Sequence, residues 1–183
     1  MPVWIDRRYR HVNGPFYCIP IRRPQGAARL SSSAASAVYK RQVYDAQRIC
    51  ARELANRVPL IGFAGAPFTV AAYMIEGAAS HTHVNTRRMA FGDPETFGVL
   101  MDKVTRQTTN YLRRQADAGA NALMLFDSNA GMLGPRDYRA VNLPFVKRIL
   151  ADLSDTGVPL IYFGLGQHET LGDIAACGAD VIG

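Results

Sequence analysis

The sequence predicts an α/β fold: an incomplete (β/α)8 TIM barrel of about four parallel strands with their helices, preceded by a poorly structured N-terminal head. Three observations predict it. Short apolar runs alternate with longer amphipathic stretches from residue 43 to the end. The runs are continuous rather than alternating, as in strands covered on both faces. Each run leads into a turn rich in Gly, or in Asp and Ser, before the next helical stretch. A doubly wound sheet fits the same alternation. A closed barrel needs eight strands and about 250 residues, so four strands in a chain of 183 residues make half of one.

The elements follow in order. Val43 to Asn56 carries Ile49 and Leu54 at helical spacing, with Tyr44, Ala46 and Ala51 among charged residues. Pro59-Leu60-Ile61-Gly62-Phe63-Ala64, closed by Gly65, is a short buried strand. Pro67 to Ile75 is helical, with proline at its start and Glu76-Gly77 at its end. Pro94 to Ala118 is a longer helix with Phe97, Leu100, Met101, Val104, Thr108, Tyr111 and Leu112 on one stripe, and Gly119 provides a left-handed stop. Ala122 to Phe126 is the second strand, ending on Asp127-Ser128. Pro135 to Leu153 is helical, Val158 to Phe163 is the third strand, Leu171 to Ala176 is a short helix, and Gly178 to Ile182 begins a fourth strand.

Residues 1–41 have neither helical nor strand periodicity and carry turn formers at Asn13-Gly14-Pro15, Pro20, Pro24 and Gly26, then a Ser/Ala run. Such composition buries little apolar surface. The chain thus divides into a head, 1–41, and a barrel segment, 42–183. The head is read as non-homologous: either a natural flexible arm or foreign sequence, since Ala37 to Gln42 resembles translated adapter read-through. The net charge of +6 sits in this head, with eight Lys/Arg against Asp6 alone, while the remainder has 13 basic and 14 acidic residues. A basic face for nucleic acid is therefore not indicated. No apolar run reaches the roughly 20 residues of a membrane span. Cys18, Cys50 and Cys177 are odd in number and far apart, which suggests a reducing, cytoplasmic setting.

In parallel α/β folds ligands sit at the carboxyl ends of strands. Three such ends are available: Gly62 to Thr69, Asp127 to Gly131, and Gly164 to His168. Free N–H groups in the first turn suit an anion, whereas its glycines are better explained on spacing by tight strand–helix packing. Asp127-Ser128-Asn129 offers an acid and a hydroxyl, or a helix cap or Asx-turn. Tyr73 reads as a half-buried tyrosine or a ligand contact. His81-x-His83 lies in a polar loop without Cys or acidic partners, so no metal is assigned. His168 lies in the loop beyond the third strand.

The stretch Val58 to Thr69, continuing through Ala72-Tyr73-Met74-Ile75-Glu76-Gly77, resembles the signature of the uroporphyrinogen decarboxylase family. Phe126-Asp127-Ser128-x-Ala130-Gly131, Leu143-Pro144-Phe145, Val158 to Gly164 and Gly178 to Gly183 follow in that family's order, so the resemblance covers roughly residues 43–183. It implies a (β/α)8 barrel, a homodimer when full length, and a carboxy-lyase that turns the four acetate arms of uroporphyrinogen III into methyl groups, giving coproporphyrinogen III in heme and porphyrin biosynthesis. It implies no metal or organic cofactor. Tyr73 and Ser128 match the family's substrate contacts, and Phe63 and Gly65 match residues around its pocket floor. Arg7 matches, more weakly, the first arginine of an N-terminal carboxylate clamp. Asn129 stands where many relatives have tryptophan or histidine. The resemblance places the family's catalytic aspartate before the matched block and its histidine beyond residue 183, so the chain alone is expected to be inactive. The related corrinoid/thiol methyltransferases hold zinc through His-x-Cys at a strand end; here that strand ends Ile161-Tyr162-Phe163-Gly164.

Overall fold

The computed structural model describes residues 32–77 and 80–183, with side chains from residue 41 onward. Arg7, Cys18 and the turn formers of the head lie outside the described residues. Among the described residues seven α-helices and four strands are seen: α1 (Ser32–Leu54), β1 (Ile61–Gly65), α2 (Pro67–Glu76), α3 (Val84–Gly92), α4 (Pro94–Asp117), β2 (Ala122–Asp127), α5 (Pro135–Val141), α6 (Leu143–Leu153), β3 (Leu160–Gly164), α7 (Leu171–Ala175) and β4 (Val181–Ile182). All strand pairs are parallel, and the sheet order is β1-β2-β3-β4. Consecutive strands are therefore neighbours, with no reversal of order of the kind that defines a doubly wound sheet. The four strands follow the barrel's winding.

Strand alternation sorts the sheet into two faces. Gly62 and Ala64, Leu123, Leu125 and Asp127, and Leu160 and Tyr162 turn one way and are buried. Beneath them lie Phe68 of α2, Met101 and Leu112 of α4, and Val146, Ile149, Leu150 and Leu153 of α6, which form the core. The amphipathic period of α4 explains this placement, since Phe97, Met101, Val104, Thr108 and Leu112 recur at helical spacing and all are buried. The opposite face carries Ile61, Phe63, Met124, Phe126, Ile161 and Phe163, and no described helix covers it.

Three expectations are corrected. Residues 32–41, placed in the unstructured head, are helical and continuous with 42–54; alanine, abundant there, has the highest helix propensity. The expected helix 135–153 is two helices that meet at Asn142, whose φ of −128° is not helical. Pro144 stands in the first turn of α6, where its missing N–H costs no helical hydrogen bond. His83 ends its loop as the cap of α3, a helix the sequence did not announce, and is buried there with a left-handed φ of 49°.

Candidate functional site

Three turns gather at the carboxyl ends of β1, β2 and β3. The first leaves β1 at Gly65 and enters α2 through Ala66 and Pro67; the Ala66 N–H donates to the Phe126 carbonyl at 2.7 Å. The Leu60 carbonyl likewise accepts from the Asn121 N–H. Even-numbered residues of β1 thus turn their peptide groups toward β2, and those of Phe63 point to the outer edge of the sheet. There the side-chain amide of Gln115 on α4 stands in for a neighbouring strand. It accepts from the Phe63 N–H at 3.0 Å and donates to the Phe63 carbonyl at 2.9 Å. Gly62 makes this possible, because a Cβ there would stand 3.0 Å from the Gln115 Oε1 and from Leu123. A Cβ at Gly65 would stand 2.9 Å from Val70. Both glycines thus serve close packing, as one of the two sequence readings had it.

Asp127, at the end of β2, is fully buried. Its Oδ1 accepts from the Thr69 hydroxyl at 2.8 Å, and its Oδ2 accepts from the Asn142 amide and from the Tyr162 hydroxyl at 2.9 Å. With the Tyr162 proton committed to the carboxylate, Tyr138 is the donor across the 3.0 Å contact between the two phenols. Burial pushes the Asp127 carboxyl above its ordinary range, against the pull of its three donors. Burial also raises the Tyr162 phenol, and the adjacent Asp127 raises it further. Neither a helix cap nor an Asx-turn describes this arrangement. It is a buried polar network that joins α2, β2, β3 and the α5–α6 junction.

On the uncovered face the rings of Phe63, Phe126 and Phe163 run across three strands. Each neighbouring pair meets edge to face with centroids 5.8 Å apart. Phe63 remains 50% exposed. Phe63 and Gly65 both lie on β1, and Gly65 pairs in register with Phe126. Ser128 and Asn129 follow Asp127, and the Asn129 N–H donates to the Thr69 hydroxyl at 3.1 Å. Thr69 lies in the first turn of α2, and Tyr73, 43% exposed, comes one turn later. The segment bearing Ser128 is thereby fastened to the helix bearing Tyr73.

Behind Ser128 the chain turns through Gly131, which abuts the loop after β3. A Cβ at Gly131 would lie 2.6 Å from the Leu165 carbonyl oxygen and 3.1 Å from the Gly166 Cα. Beside this contact is a pocket of about 240 Å³, bordered by Gly134, Gln167 and the exposed His168. Further along, Glu76 at the end of α2 accepts from the Thr86 N–H at 2.8 Å, the Thr86 hydroxyl at 2.9 Å and the Asn85 amide at 3.0 Å. It caps the first turn of α3, and the Thr86 N–H is the chief cause that holds its carboxyl below the usual range. His83 is held down by burial, and its Nδ1 has no hydrogen-bond partner among the described residues.

Phe63 and Gly65 lie on β1, Tyr73 lies on the helix that follows it, and Ser128 directly follows β2, which pairs with β1. Sequence reasoning missed the Asp127 network and the Gln115 clamp. The signal for the first was an acid closing an apolar strand, which has to find donors wherever it is buried.

Against known proteins, the family model described as uroporphyrinogen decarboxylase (URO-D) matches residues 5–183. The match begins inside the head, which composition had set apart. A uroporphyrinogen decarboxylase from Syntrophotalea carbinolica is 48% identical over 141 residues, covering 77% of this chain and 41% of the relative. One from Streptomyces coelicolor is 42% identical over 181 residues, covering 99% and 50%. Among solved structures, a methyltransferase from Methanosarcina mazei matches with a TM-score of 0.65 at 19% identity, over 76% of this chain and 40% of that one. That likeness concerns the fold, which is the α/β barrel. This chain spans about half the length of the curated relatives it matches. The chain belongs to the uroporphyrinogen decarboxylase family.

Proposed function

We propose that the chain forms part of a uroporphyrinogen decarboxylase, which converts uroporphyrinogen III to coproporphyrinogen III in heme and porphyrin biosynthesis without metal or organic cofactor. The observation that carries this reading is the family match over residues 5–183. The geometry agrees with it. An apolar aromatic face suits the flat, ring-shaped part of such a substrate, and hydroxyls at the rim, on Tyr73 and Ser128, suit its carboxylate arms. In each arm the bond between the methylene and the carboxylate breaks, and its electron pair enters a pyrrole ring that has been protonated on carbon. Carbon dioxide leaves, the methylene gains a proton to become methyl, and the ring proton is released. Each arm thus consumes one proton and yields one carbon dioxide.

The reading extends to a cytoplasmic homodimer. Among the described residues no helix is long and apolar enough to cross a membrane. The chain alone is proposed to be inactive, as the resemblance places the family's aspartate and histidine outside it. Incubation of the full-length protein with uroporphyrinogen, with products separated by carboxylate number, tests the reading. Successive loss of four carboxylates is expected, and no loss refutes it. Tyr73→Phe should lower kcat/KM by about ten- to a hundredfold, the worth of one hydrogen bond to a charged group, with the fold retained. Stoichiometric zinc in the purified protein would favour the thiol methyltransferase reading instead.

A further inference from the structure

We propose that Thr69 is a positioning residue for the rim of the site: its hydroxyl links the Asn129 peptide to the buried Asp127 carboxylate and so fixes Ser128 against the helix that carries Tyr73. The inference rests on the functional reading above and goes beyond it, since Thr69 is buried and faces away from the open sheet face.

A hydroxyl has one proton to give and lone pairs to receive. Thr69 uses both capacities across long sequence separations. It donates to the Asp127 Oδ1 and accepts from the Asn129 N–H. Asp127 and Asn129 flank Ser128, so both sides of the serine are tied to the same atom in the first turn of α2. The carboxylate is held in turn by Asn142 and Tyr162, from the α5–α6 junction and β3. Burying it without a cation among its hydrogen-bond partners is costly, and an apolar residue at such a site is often as stable or more so. The carboxylate's worth therefore lies in where it puts its neighbours. Without the hydroxyl, Asp127 loses one donor, the Asn129 N–H loses its acceptor, and the peptide of Ser128 is free to rotate relative to Tyr73.

The test separates the hydroxyl from the methyl. Thr69→Val keeps the shape and deletes the hydroxyl, whereas Thr69→Ser keeps the hydroxyl and deletes the methyl. In the full-length protein, Thr69→Val is expected to lower kcat/KM for uroporphyrinogen at least tenfold, while Thr69→Ser stays within about twofold of the parent. Amide hydrogen exchange at Asn129, measured on the present chain, should accelerate in Thr69→Val and remain slow in Thr69→Ser. A merely packing role predicts the reverse order, and that order overturns the proposal. If Thr69→Val does not fold, Thr69→Ser still decides: loss of turnover or of Asn129 protection in that variant refutes the link. Failure of the parent protein to act on uroporphyrinogen would refute the functional reading, while the exchange measurement still judges the Thr69 tie.

Discussion

Replacing Gln115 with methionine deletes the amide and keeps an unbranched side chain of similar length. Two hydrogen bonds to the Phe63 peptide vanish, at 3.0 and 2.9 Å. Each is worth about 1 kcal/mol net where water can replace it, and up to about 3 kcal/mol where the peptide group stays dry. Gln115 is buried, while the Phe63 peptide lies at the sheet edge, so a loss of about 2 kcal/mol is expected. For a chain of this size that lowers the melting temperature by roughly 4–8 °C. Urea and thermal unfolding of the parent and Gln115→Met measure it, with amide exchange at Phe63 reporting the local opening. Gln115→Glu gives a sharper check, because an ionised carboxylate still accepts from the Phe63 N–H but repels its carbonyl. The protonated acid restores the donor, so the folded state binds the proton more tightly than the unfolded chain does. That variant should lose stability as pH rises from about 4 to about 7 relative to the parent. Unfolding free energies unchanged within about 0.5 kcal/mol and unaltered exchange at Phe63 would refute the clamp.

Further predictions follow from the other contacts. Burial raises the Asp127 carboxyl above its ordinary 3.8, so between that value and the raised one the folded state holds more protons than the unfolded chain. Its contribution to stability therefore falls as pH rises through that window, and the difference between parent and Asp127→Asn, followed by urea unfolding against pH, should show that slope. Glu76 behaves oppositely. Its lowered carboxyl stabilises the fold above 4.5, and this is lost as pH falls through the lowered value. Glu76→Gln should speed amide exchange at Thr86 and leave β2 unaffected; unchanged exchange at Thr86 would dismiss the cap. Gly131→Ala forces its methyl against the Leu165 carbonyl and should cost about 1–3 kcal/mol in urea unfolding. Gly98→Ala, inside α4 with open space around it, should instead stabilise by about 0.5–1 kcal/mol. Equal effects of the two would refute the close approach.

The strands were legible because their apolar runs are continuous and bounded by turn formers, and α4 because its stripe recurs from Phe97 to Leu112 within a helix of 24 residues. By contrast, α3 went unseen: only Thr86 and Ala90 of its nine residues are buried, so its sequence shows no apolar stripe. The break at Asn142 was announced by Pro144 but masked by an apolar spacing that runs on through it. Phe63, Gly65, Tyr73 and Ser128 came from the family resemblance, and no periodicity would have chosen them. The Asp127 partners lie 58, 15 and 35 residues away, and Gln115 lies 52 residues from Phe63. No local rule reaches across such separations.

What unites these distant contacts is their position relative to the sheet. Thr69, Asp127, Asn142, Tyr138, Tyr162 and Gln115 are all buried, and Asp127 and Tyr162 belong to the helix-covered face. Phe63, Phe126 and Phe163 lie on the other face, while Tyr73 lies on α2 and Ser128 directly follows β2. A strand exposes alternate residues to opposite sides, so residue 126 faces the open side while residue 127 anchors the same strand from behind. Phe126 and Ser128 are thus held by Asp127, and Phe163 by Tyr162, the residue beside each in sequence acting on the opposite face, while Phe63 is held by Gln115 from α4. Substitutions on the covered face should therefore change turnover through geometry, and be rescued by any residue that restores the lost hydrogen bond. Substitutions on the open face should change substrate affinity without altering stability to the same degree.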